Sequence, residues 1–332
     1  MPTDACRLPS RRAALLAAAA WIATAAALPS RAAAADAWPT RPIHLVVPFA
    51  PGGANDLIAR AAAEGMSKRL GQQVIVDNKP GAGAMVGAAF VAKAAPDGYT
   101  FLASAAGIVS NSMIKKEMPY KDDELVPVVM VGLAPSVIVV PADSPYKTLK
   151  DFIEASKKGA GFRWATAGTG STPHFVGGLL STYYGAKLEM VPYKSGAESV
   201  TAVMGAQIEG TSEASVAVLP NVKGGKLRAL ATTWTERIKA YPQLPTATEE
   251  GFPKVQIAHW CGIHAPKGTP AAILDKVAAA VDAAMKDPAA VAKLEAAGIQ
   301  PVGGTRADFV KFNDEERARL SAVVKATGMK AD

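Results

Sequence analysis

The sequence predicts a fold of the α/β class, because short runs rich in β-branched residues alternate with longer helical patterns. An apolar run at 43–49 precedes a helical pattern over about 55–70. A second run at 74–77 precedes a helical pattern near 84–94, and a third run follows at 100–103. Strand followed by helix is the order that produces parallel strands joined by crossover helices. The 332 residues, 49% of them hydrophobic, are enough to bury a large core in one or two domains.

A second α/β lobe is predicted after a long β segment that glycine and proline interrupt. Its strands are expected at 163–167, 188–192 and 227–232, and a returning strand is expected at 255–260. We predict that residues 36–135 and 256–332 form lobe 1 and that residues 136–255 form lobe 2. Segments near 127–140 and 254–265 are expected to cross between the lobes.

Several helix ends are marked by capping residues. The predicted N-caps are Thr148, Thr269, Asp287 and Thr305. Thr269 and Asp287 each precede a proline, which predicts proline as the first helical residue. Gly298 and Gly328 lie where helices are expected to end. These signals predict well-defined helices in the last quarter of the chain.

The first 35 residues have the organisation of a signal peptide. Two arginines precede an apolar, alanine-rich stretch at 13–28, and small residues follow at 32–35. The apolar stretch has about 16 residues, fewer than the roughly 20 that a membrane-spanning helix needs. We predict export to the periplasm with cleavage near Ala33 to Ala35.

The net charge of +7 does not indicate nucleic-acid binding. Without residues 1–35, 32 basic residues face 28 acidic ones, and they are spread along the chain. A nucleic-acid groove would combine a basic patch with aromatic side chains, and neither pattern is present in the sequence. We therefore expect no nucleic-acid partner.

Glycine-rich turns recur where predicted strands meet predicted helices. They lie at 51–53, 80–83, 168–172 and 194–196. Any strand-to-helix turn in an α/β protein favours glycine, so a single such turn is weak evidence of a binding site. In open α/β sheets, however, ligands bind beyond the carboxyl ends of the strands, where free helix N–H groups attract anions. Turns in both lobes therefore predict a cleft lined by helix N-termini and suited to a carboxylate.

The same turns carry a resemblance to a known family. The segments are WPTRPI at 38–43, PFAPGG at 48–53 with Asp56, DNKPGAG at 77–83, APDGYT at 95–100, GGKLRALA at 224–231, and WCG with APKGTP at 260–270. Together they resemble the Bug-type, TctC-like solute-binding receptors of tripartite tricarboxylate transporters. The resemblance implies a two-lobe periplasmic binding protein of type II that closes on a small carboxylate and delivers it to membrane permease subunits. It implies no catalytic residue and no cofactor, and we expect a monomer.

The resemblance also implies where the ligand binds. The expected ligand-binding residues are Pro51, Gly52, Gly53, Asp56, Ala82, Gly83, Ser104, Thr169, Ser171, Thr172, His174, Tyr193 and Glu213. In the family, backbone amides and ordered water in the first-lobe glycine loops hold the carboxylate. The family's Ser/Thr-rich loop corresponds to 169–174 in lobe 2. Tyr193 and Trp260 are the aromatic residues expected near the cleft, although either suits a core position.

Two segments depart from the family pattern. Relatives usually have an apolar run ending in Asp, where this chain has IEGTSE at 208–213 and therefore Glu213. The loop at 104–107 is smaller and less polar than the family's common version. These departures suggest a ligand different from, or bulkier than, a short dicarboxylate.

Two acidic residues of the expected site allow more than one role. Glu213 suits either a hydrogen-bond acceptor for a ligand hydroxyl or ammonium group, or a carboxylate near the hinge. Asp56 suits a tie between loop and helix or, alternatively, a ligand contact through water.

Other functions are less well supported by the residues. His259, Cys261 and His264 fall close together, but no second cluster would complete a zinc site, and we expect no metal. The glycines at 81–87 lack the spacing of a dinucleotide fingerprint, so an enzyme of that class is a weaker alternative. A ligand sensor that docks to a membrane signalling protein fits the same fold and remains the second hypothesis.

Overall fold

The computed structural model describes residues 38–330, and the chain from Pro39 onward forms one compact unit. The predicted signal peptide at 1–35 lies outside the described residues. The first elements are β1 (Ile43–Val47), α1 (Ala54–Leu70), β2 (Val74–Asn78), α2 (Met85–Ala92), β3 (Thr100–Ser104), α3 (Gly107–Ile114), β4 (Leu125–Pro141) and α4 (Leu149–Ser156). Short 3₁₀ turns occupy Ala82–Ala84 and Asp122–Glu124. Strand β1 pairs in parallel with both β2 and β3, as predicted.

The remaining elements repeat this arrangement and then close the fold. They are β5 (Phe162–Thr166), α5 (Thr172–Tyr184), β6 (Leu188–Pro192), α6 (Gly196–Met204), β7 (Gly210–Ala214), α7 (Ser215–Lys223), β8 (Leu227–Thr232), β9 (Ala258–Pro266), α8 (Ala271–Met285), α9 (Pro288–Ala296), β10 (Gln300–Pro301) and α10 (Arg306–Thr327). Strand β5 pairs in parallel with β6 and β7. We use "first lobe" for residues 43–114 and "second lobe" for residues 162–223.

The strand β4 joins the two sets of parallel strands. Its residues 125–135 pair antiparallel with β9, and its residues 136–141 pair antiparallel with β7 and β8. The strand order is β2-β1-β3-β9-β4-β7-β5-β6, with β8 and β10 also paired to β4. The α/β prediction is therefore confirmed, and the long segment at 127–141 forms one continuous strand. The returning strand starts at Ala258, later than predicted, and extends to Pro266.

The last helix, α10, packs against strand β9 and against helix α5 of the second lobe. The ring of Phe309 lies against Gly262, where an added Cβ atom would be 2.0 Å from the ring. Farther along the helix, the methyl group of Thr327 lies close to Gly178 in α5. Helix α10 therefore contacts β9 near its start and the second lobe near its end.

Trp260 belongs to the core between these elements. Its side chain is 1% exposed, and its indole Nε1 donates a hydrogen bond to Glu316 Oε1 at 3.1 Å. Glu316 is fully buried and also pairs with Arg319. Burial of so large an aromatic side chain contributes about 2 to 3 kcal/mol. Of the two roles considered for Trp260, the structure supports the core position.

Most of the predicted helix ends are confirmed. Thr148 and Thr305 accept hydrogen bonds from the amides three residues later, and Asp287 caps α9. Gly298 and Gly328 have positive φ angles where their helices end. The prediction for Thr269 is wrong, because helix α8 begins at Ala271 with Pro270 as its N-cap. The hydroxyl of Thr269 donates instead to the backbone oxygen of Pro266.

Within residues 38–330, no helix combines the length and the apolar character that crossing a membrane would require.

Candidate functional site

The candidate site lies at the carboxyl ends of the two sets of parallel strands. In the first lobe, β1 leads into α1, β2 leads through the 3₁₀ turn into α2, and β3 leads into α3. In the second lobe, β5, β6 and β7 lead into α5, α6 and α7. Each turn presents a helix N-terminus at the edge where α/β proteins bind ligands.

The loop at 51–53 is exposed and is held in place by Asp56. Asp56 Oδ2 accepts hydrogen bonds from the amide of Gly52 and from Arg60 Nε, both at 2.9 Å. Asp56 Oδ1 accepts from Arg60 at 3.0 Å and from Asn78 Nδ2 at 2.9 Å. The predicted tie between loop and helix is confirmed. Because four donors occupy both oxygens, Asp56 positions Pro51, Gly52 and Gly53.

Asp56 is ionised at neutral pH despite its burial. Burial by itself raises its pKa, but the hydrogen bonds from Arg60, the Gly52 amide and Asn78 outweigh this and lower the pKa. The guanidinium of Arg60 compensates the negative charge. An anion can therefore approach the loop without facing an uncompensated carboxylate.

The loop at 81–84 has an unusual backbone. Gly81, Ala82, Gly83 and Ala84 all have positive φ angles, of 139°, 48°, 65° and 77°. For alanine this conformation is uncommon and costs about 1 to 2 kcal/mol per residue. The loop is held by Asn111, whose side-chain amide donates to the backbone oxygen of Gly83 at 2.9 Å. Ala82 and Gly83 remain exposed, so their backbone is available to a ligand.

Ser104 does not offer its hydroxyl group to a ligand. Its side chain is fully buried, and Oγ donates to the backbone oxygen of Gly262 at 2.9 Å. His264 Nδ1 lies 2.7 Å from the same Oγ and therefore carries the proton of that hydrogen bond. Strand pairing between β3 and β9 encloses this hydroxyl, and the expected ligand contact of Ser104 stays a prediction. Burial lowers the pKa of His264 to about 3, so its imidazole is neutral.

The loop at 168–172 is arranged by its own polar groups. Ser171 Oγ donates to the backbone oxygen of Gly168 at 2.6 Å, and the amide of Gly170 donates to His174 Nδ1 at 3.3 Å. Burial lowers the pKa of His174, which favours a neutral imidazole. Thr169 is exposed and Thr172 is buried at the first turn of α5. The structure thus brings together four of the expected residues, with Ser171 and His174 as loop supports.

Tyr193 follows β6 and is partly buried in the second lobe. Its ring packs against the second-lobe core and lines a shallow groove with Glu198, Thr201 and Gln207. This groove runs beside the body of α6 and past its end, because Gln207 follows the last helical residue. Tyr193 therefore packs in lobe 2 and lines this groove, and its expected ligand contact stays a prediction.

Glu213 is buried at the N-terminus of α6. A Cβ atom built at Gly196 would lie 2.6 Å from Glu213 Oε1, so the absence of a side chain there makes room for the carboxyl group. Glu213 is 6% exposed, and its Oε1 has no hydrogen-bond partner among the described residues. Burial raises its pKa to about 7, although the Ala214 amide and the Ser199 hydroxyl lower it in part. The carboxyl group is thus balanced between its neutral and charged forms near neutral pH.

Sequence reasoning missed two residues of helix α3. Asn111 holds the loop at 81–84, and Ile114 lies against Gly170 in the loop at 168–172. Helix α3 begins without a side-chain cap, so its start carries no capping signal. The segment GIVSNSMI mixes apolar and polar residues, so no signal in the sequence indicated that Asn111 and Ile114 contact the two loops.

The described residues contain no group of three or more His, Cys, Asp or Glu side chains placed to hold a metal ion. Cys261 is buried and free, and burial raises the pKa of its thiol to about 12. A thiol with that pKa remains protonated and is a poor nucleophile.

Comparison with known proteins shows that the chain is similar to one family of receptors. The family model described as "Tripartite tricarboxylate transporter family receptor" (TctC) matches residues 58–329. The chain is 35% identical over 300 residues to Protein BugT of Bordetella pertussis, which covers 89% of this chain and 92% of BugT. It is 36% identical over 297 residues to the UPF0065 protein in the tcbD-tcbE intergenic region of Pseudomonas sp. strain P51, covering 88% of each.

Solved structures agree with the sequence matches. The structure of periplasmic binding protein BugD has a TM-score of 0.80 and 31% identity, covering 89% of this chain and 100% of BugD. Rpa4515 of R. palustris with adipate has a TM-score of 0.82 and 31% identity, covering 88% and 99% of the two chains. MatC of Rhodopseudomonas palustris with bound malate has a TM-score of 0.76 and 29% identity, covering 86% and 100%. The predicted two-lobe fold of a periplasmic binding protein is thereby confirmed.

Proposed function

Because the chain belongs to the tripartite tricarboxylate transporter receptor family, we propose that it captures a small carboxylate between its lobes and delivers it to the permease of such a transporter. As a member of this family it is a solute-binding receptor and not an enzyme. The observation that carries the proposal is the loop at 81–84, where four successive residues have positive φ angles. Strained backbone of this kind is characteristic of ligand sites, where amide groups are held ready for an anion.

The proposed contacts use backbone more than charged side chains. In the first lobe they are Gly53 before α1, where the amide of Gly52 is already bound to Asp56, and Ala82 and Gly83 before α2. In the second lobe they are Thr169 and Thr172 at the start of α5, with Ser171 supporting the loop through its bonds to Gly168. A helix N-terminus stabilises an anion by about 0.3 to 1 kcal/mol when exposed and about 2 kcal/mol when partly buried. Binding near micromolar, which is roughly 8 kcal/mol, therefore requires charge-assisted hydrogen bonds and the release of water in addition to these helix ends.

The ligand class follows from chemistry and from relatives. Two relatives have bound adipate and malate, which are both aliphatic acids with a carboxylate at each end. Two sets of anion-binding turns, one in each lobe, suit such a ligand. The departures at Glu213 and in the loop at 104–107 favour a body that differs from a short dicarboxylate. Our proposal therefore covers dicarboxylates, tricarboxylates and aromatic acids.

We also propose that the mature protein begins near Asp36, works in the periplasm and acts as a monomer. The order of arginines, apolar stretch and small residues at 1–35 supports export. The relatives with solved structures include a protein named as a periplasmic binding protein. Size-exclusion chromatography with light scattering tests the monomer. Capture of the permease subunits by the loaded receptor, and failure to capture them without ligand, distinguishes transport from a sensor role.

The central experiment measures binding to a panel of acids together with a loop variant. Isothermal titration of the mature chain should give saturable binding to at least one carboxylate and none to amines or NAD. Asn111→Leu removes the hydrogen bond to Gly83 and should weaken that binding at least tenfold, or ~1.4 kcal/mol. Asn221→Leu is the matched control, because its amide bonds only to Ala217 in its own helix. Equal affinities of the two variants would contradict the proposed role of the loop.

A further inference from the structure

Helix α3 contacts the proposed ligand loops of both lobes. Asn111 donates a hydrogen bond to the backbone oxygen of Gly83 in the first-lobe loop, 2.9 Å away. Ile114 lies three residues later and is buried against Gly170 in the second-lobe loop. Side chains three apart leave a helix on the same face. One face of this short helix therefore contacts both loops, each through one side chain.

The contact between Ile114 and Gly170 leaves no free space. A Cβ atom built at Gly170 would lie 2.3 Å from Ile114 Cδ1, much closer than the roughly 3.5 to 4.0 Å of a normal carbon contact. Gly170 also has a φ angle of +80°, which favours glycine. The second-lobe loop thus approaches the first-lobe helix as closely as the backbone allows.

We propose that α3 is the spacer that sets the distance between the two carboxylate-binding loops, and that Ile114 determines the length of the acid that the receptor accepts. This inference rests on the proposed function, since it assigns a selectivity to the same site. An acid with a carboxylate at each end has to bridge the loops when the lobes close. A rigid stop on closure therefore selects acids of one length over shorter and longer ones.

The two contacts of α3 give this spacer a defined geometry. Asn111 fixes the helix to the first-lobe loop, so a change in the size of residue 114 alters the position of the second-lobe loop alone. Ile114 is 4% exposed and belongs to the main core cluster, which prevents its side chain from turning aside. Packed cores respond to an added atom by displacement, not by compression.

Three substitutions test the spacer. Gly170→Ala places a methyl group against Ile114 and should force the loops apart. Ile114→Val removes Cδ1, the atom that the new methyl group would meet, and should relieve the overlap in the double variant. Gly168→Ala is the matched control: it lies in the same loop at a φ angle of +95°, but a Cβ atom there meets nothing within 4 Å.

The first readout is the affinity for a series of acids of increasing length, namely succinate, glutarate, adipate and pimelate. Gly170→Ala should weaken the best-bound acid at least tenfold, or ~1.4 kcal/mol, and move the preference to a longer acid. Gly168→Ala should lower all affinities by a common factor and keep the preference. Ile114→Val alone should move the preference to a shorter acid, and adding it to Gly170→Ala should restore the wild-type order. Identical profiles for Gly168→Ala and Gly170→Ala, or no restoration by Ile114→Val, would overturn the spacer.

The second readout needs no ligand and separates this inference from the proposed function. Spin labels at exposed positions, Lys93→Cys in the first lobe and Thr182→Cys in the second, report the distance between lobes. Cys261 is buried and leaves labelling selective. The spacer predicts a longer distance in Gly170→Ala than in Gly168→Ala, and a return to the wild-type distance in the double variant with Ile114→Val. If the wild-type chain binds none of the acids, the proposed ligand class fails, and this distance alone decides the spacer.

Discussion

The carboxyl group of Glu213 lies 3.9 Å from Nε2 of His259, although the two residues belong to strands that pair with opposite edges of β4. Glu213 pairs with β4 from the second lobe, whereas His259 pairs with it from β9. Burial raises the pKa of Glu213 to about 7 and lowers the pKa of His259 to about 4. Between these values both groups are largely neutral, so the pair is not an ion pair. Because burial shifts both pKa values, the protonation of this pair beside β4 makes the stability of the protein depend on pH.

The raised pKa of Glu213 predicts a loss of stability as the pH rises. The folded protein binds the proton more tightly than the unfolded chain, so the contribution is complete below about pH 4.5 and is lost as the pH passes about 7. The loss amounts to at most about 3 kcal/mol. Glu213→Gln should remove this dependence, measured as the free energy of unfolding in urea between about pH 4.5 and pH 8.

His259 and His264 act in the opposite sense, because their pKa values fall on folding. They favour stability above about pH 6.5 and lose it as the pH falls toward 4 and below. The difference between wild type and Glu213→Gln isolates the glutamate from both histidines. A difference that does not change with pH would show that Glu213 has an ordinary pKa.

Asp56 is expected to support both the fold and the ligand loop. Asp56→Ala removes four hydrogen bonds and leaves the Gly52 amide free, so it should destabilise the protein by about 2 kcal/mol. It should also weaken carboxylate binding, because the loop at 51–53 loses its tie to α1. Glu64→Gln, which removes an exposed ion pair with Lys68 in the same helix, should change stability by less than about 0.5 kcal/mol. Chemical denaturation and titration calorimetry provide the two measurements.

The positive φ angles of the loop at 81–84 predict that relieving its strain raises stability and lowers ligand affinity. Ala84→Gly relieves a positive φ angle of 77° and should raise the free energy of unfolding by about 1 kcal/mol. The freed loop is less well organised, so ligand affinity should fall. Ala206→Gly relieves a similar angle of 52° outside the candidate site and should raise stability without altering affinity. A loss of affinity in both variants would contradict a specific role for the loop.

Helix α10 should depend on the close contact between Phe309 and Gly262. Gly262→Ala introduces a Cβ atom 2.0 Å from the ring and should destabilise the protein by about 1 to 3 kcal/mol. Combining it with Phe309→Leu should recover part of that loss, since the ring is removed. Gly205→Ala, whose Cβ atom would meet its nearest neighbour at 3.5 Å, is the control and should cost less. Thermal unfolding measures all three variants.

The existence of the parallel strands, but not their order in the sheet, could be predicted from local patterns, as could a candidate site at their carboxyl ends. Runs of β-branched residues identified β1, β2 and β3, and the glycine turns indicated the edge where helices begin. Asp56 was readable because its spacing from Gly53 placed it in the first turn of α1. Capping residues such as Asp287 and Thr305 marked helix starts through their own hydrogen bonds.

Contacts between distant segments could not be predicted in this way. Ser104 was expected just beyond the third strand as a ligand residue, but it is the last residue of β3, and pairing with β9, 158 residues later, encloses its hydroxyl. The burial of Glu213 depends on Gly196 and on His259, which belong to other elements. Ile114 acquires its significance only when the second-lobe loop lies against it. Such contacts arise from tertiary packing between distant segments, and no local pattern in a single sequence predicts them.

The decisive measurement is a structure of the mature chain with a bound carboxylate. We predict that the carboxylate groups of the ligand accept hydrogen bonds from backbone amides in the loops at 81–84 and 168–172, with Ile114 in contact with Gly170. A ligand held by lysine or arginine side chains, or bound in the groove beside Tyr193, would contradict it.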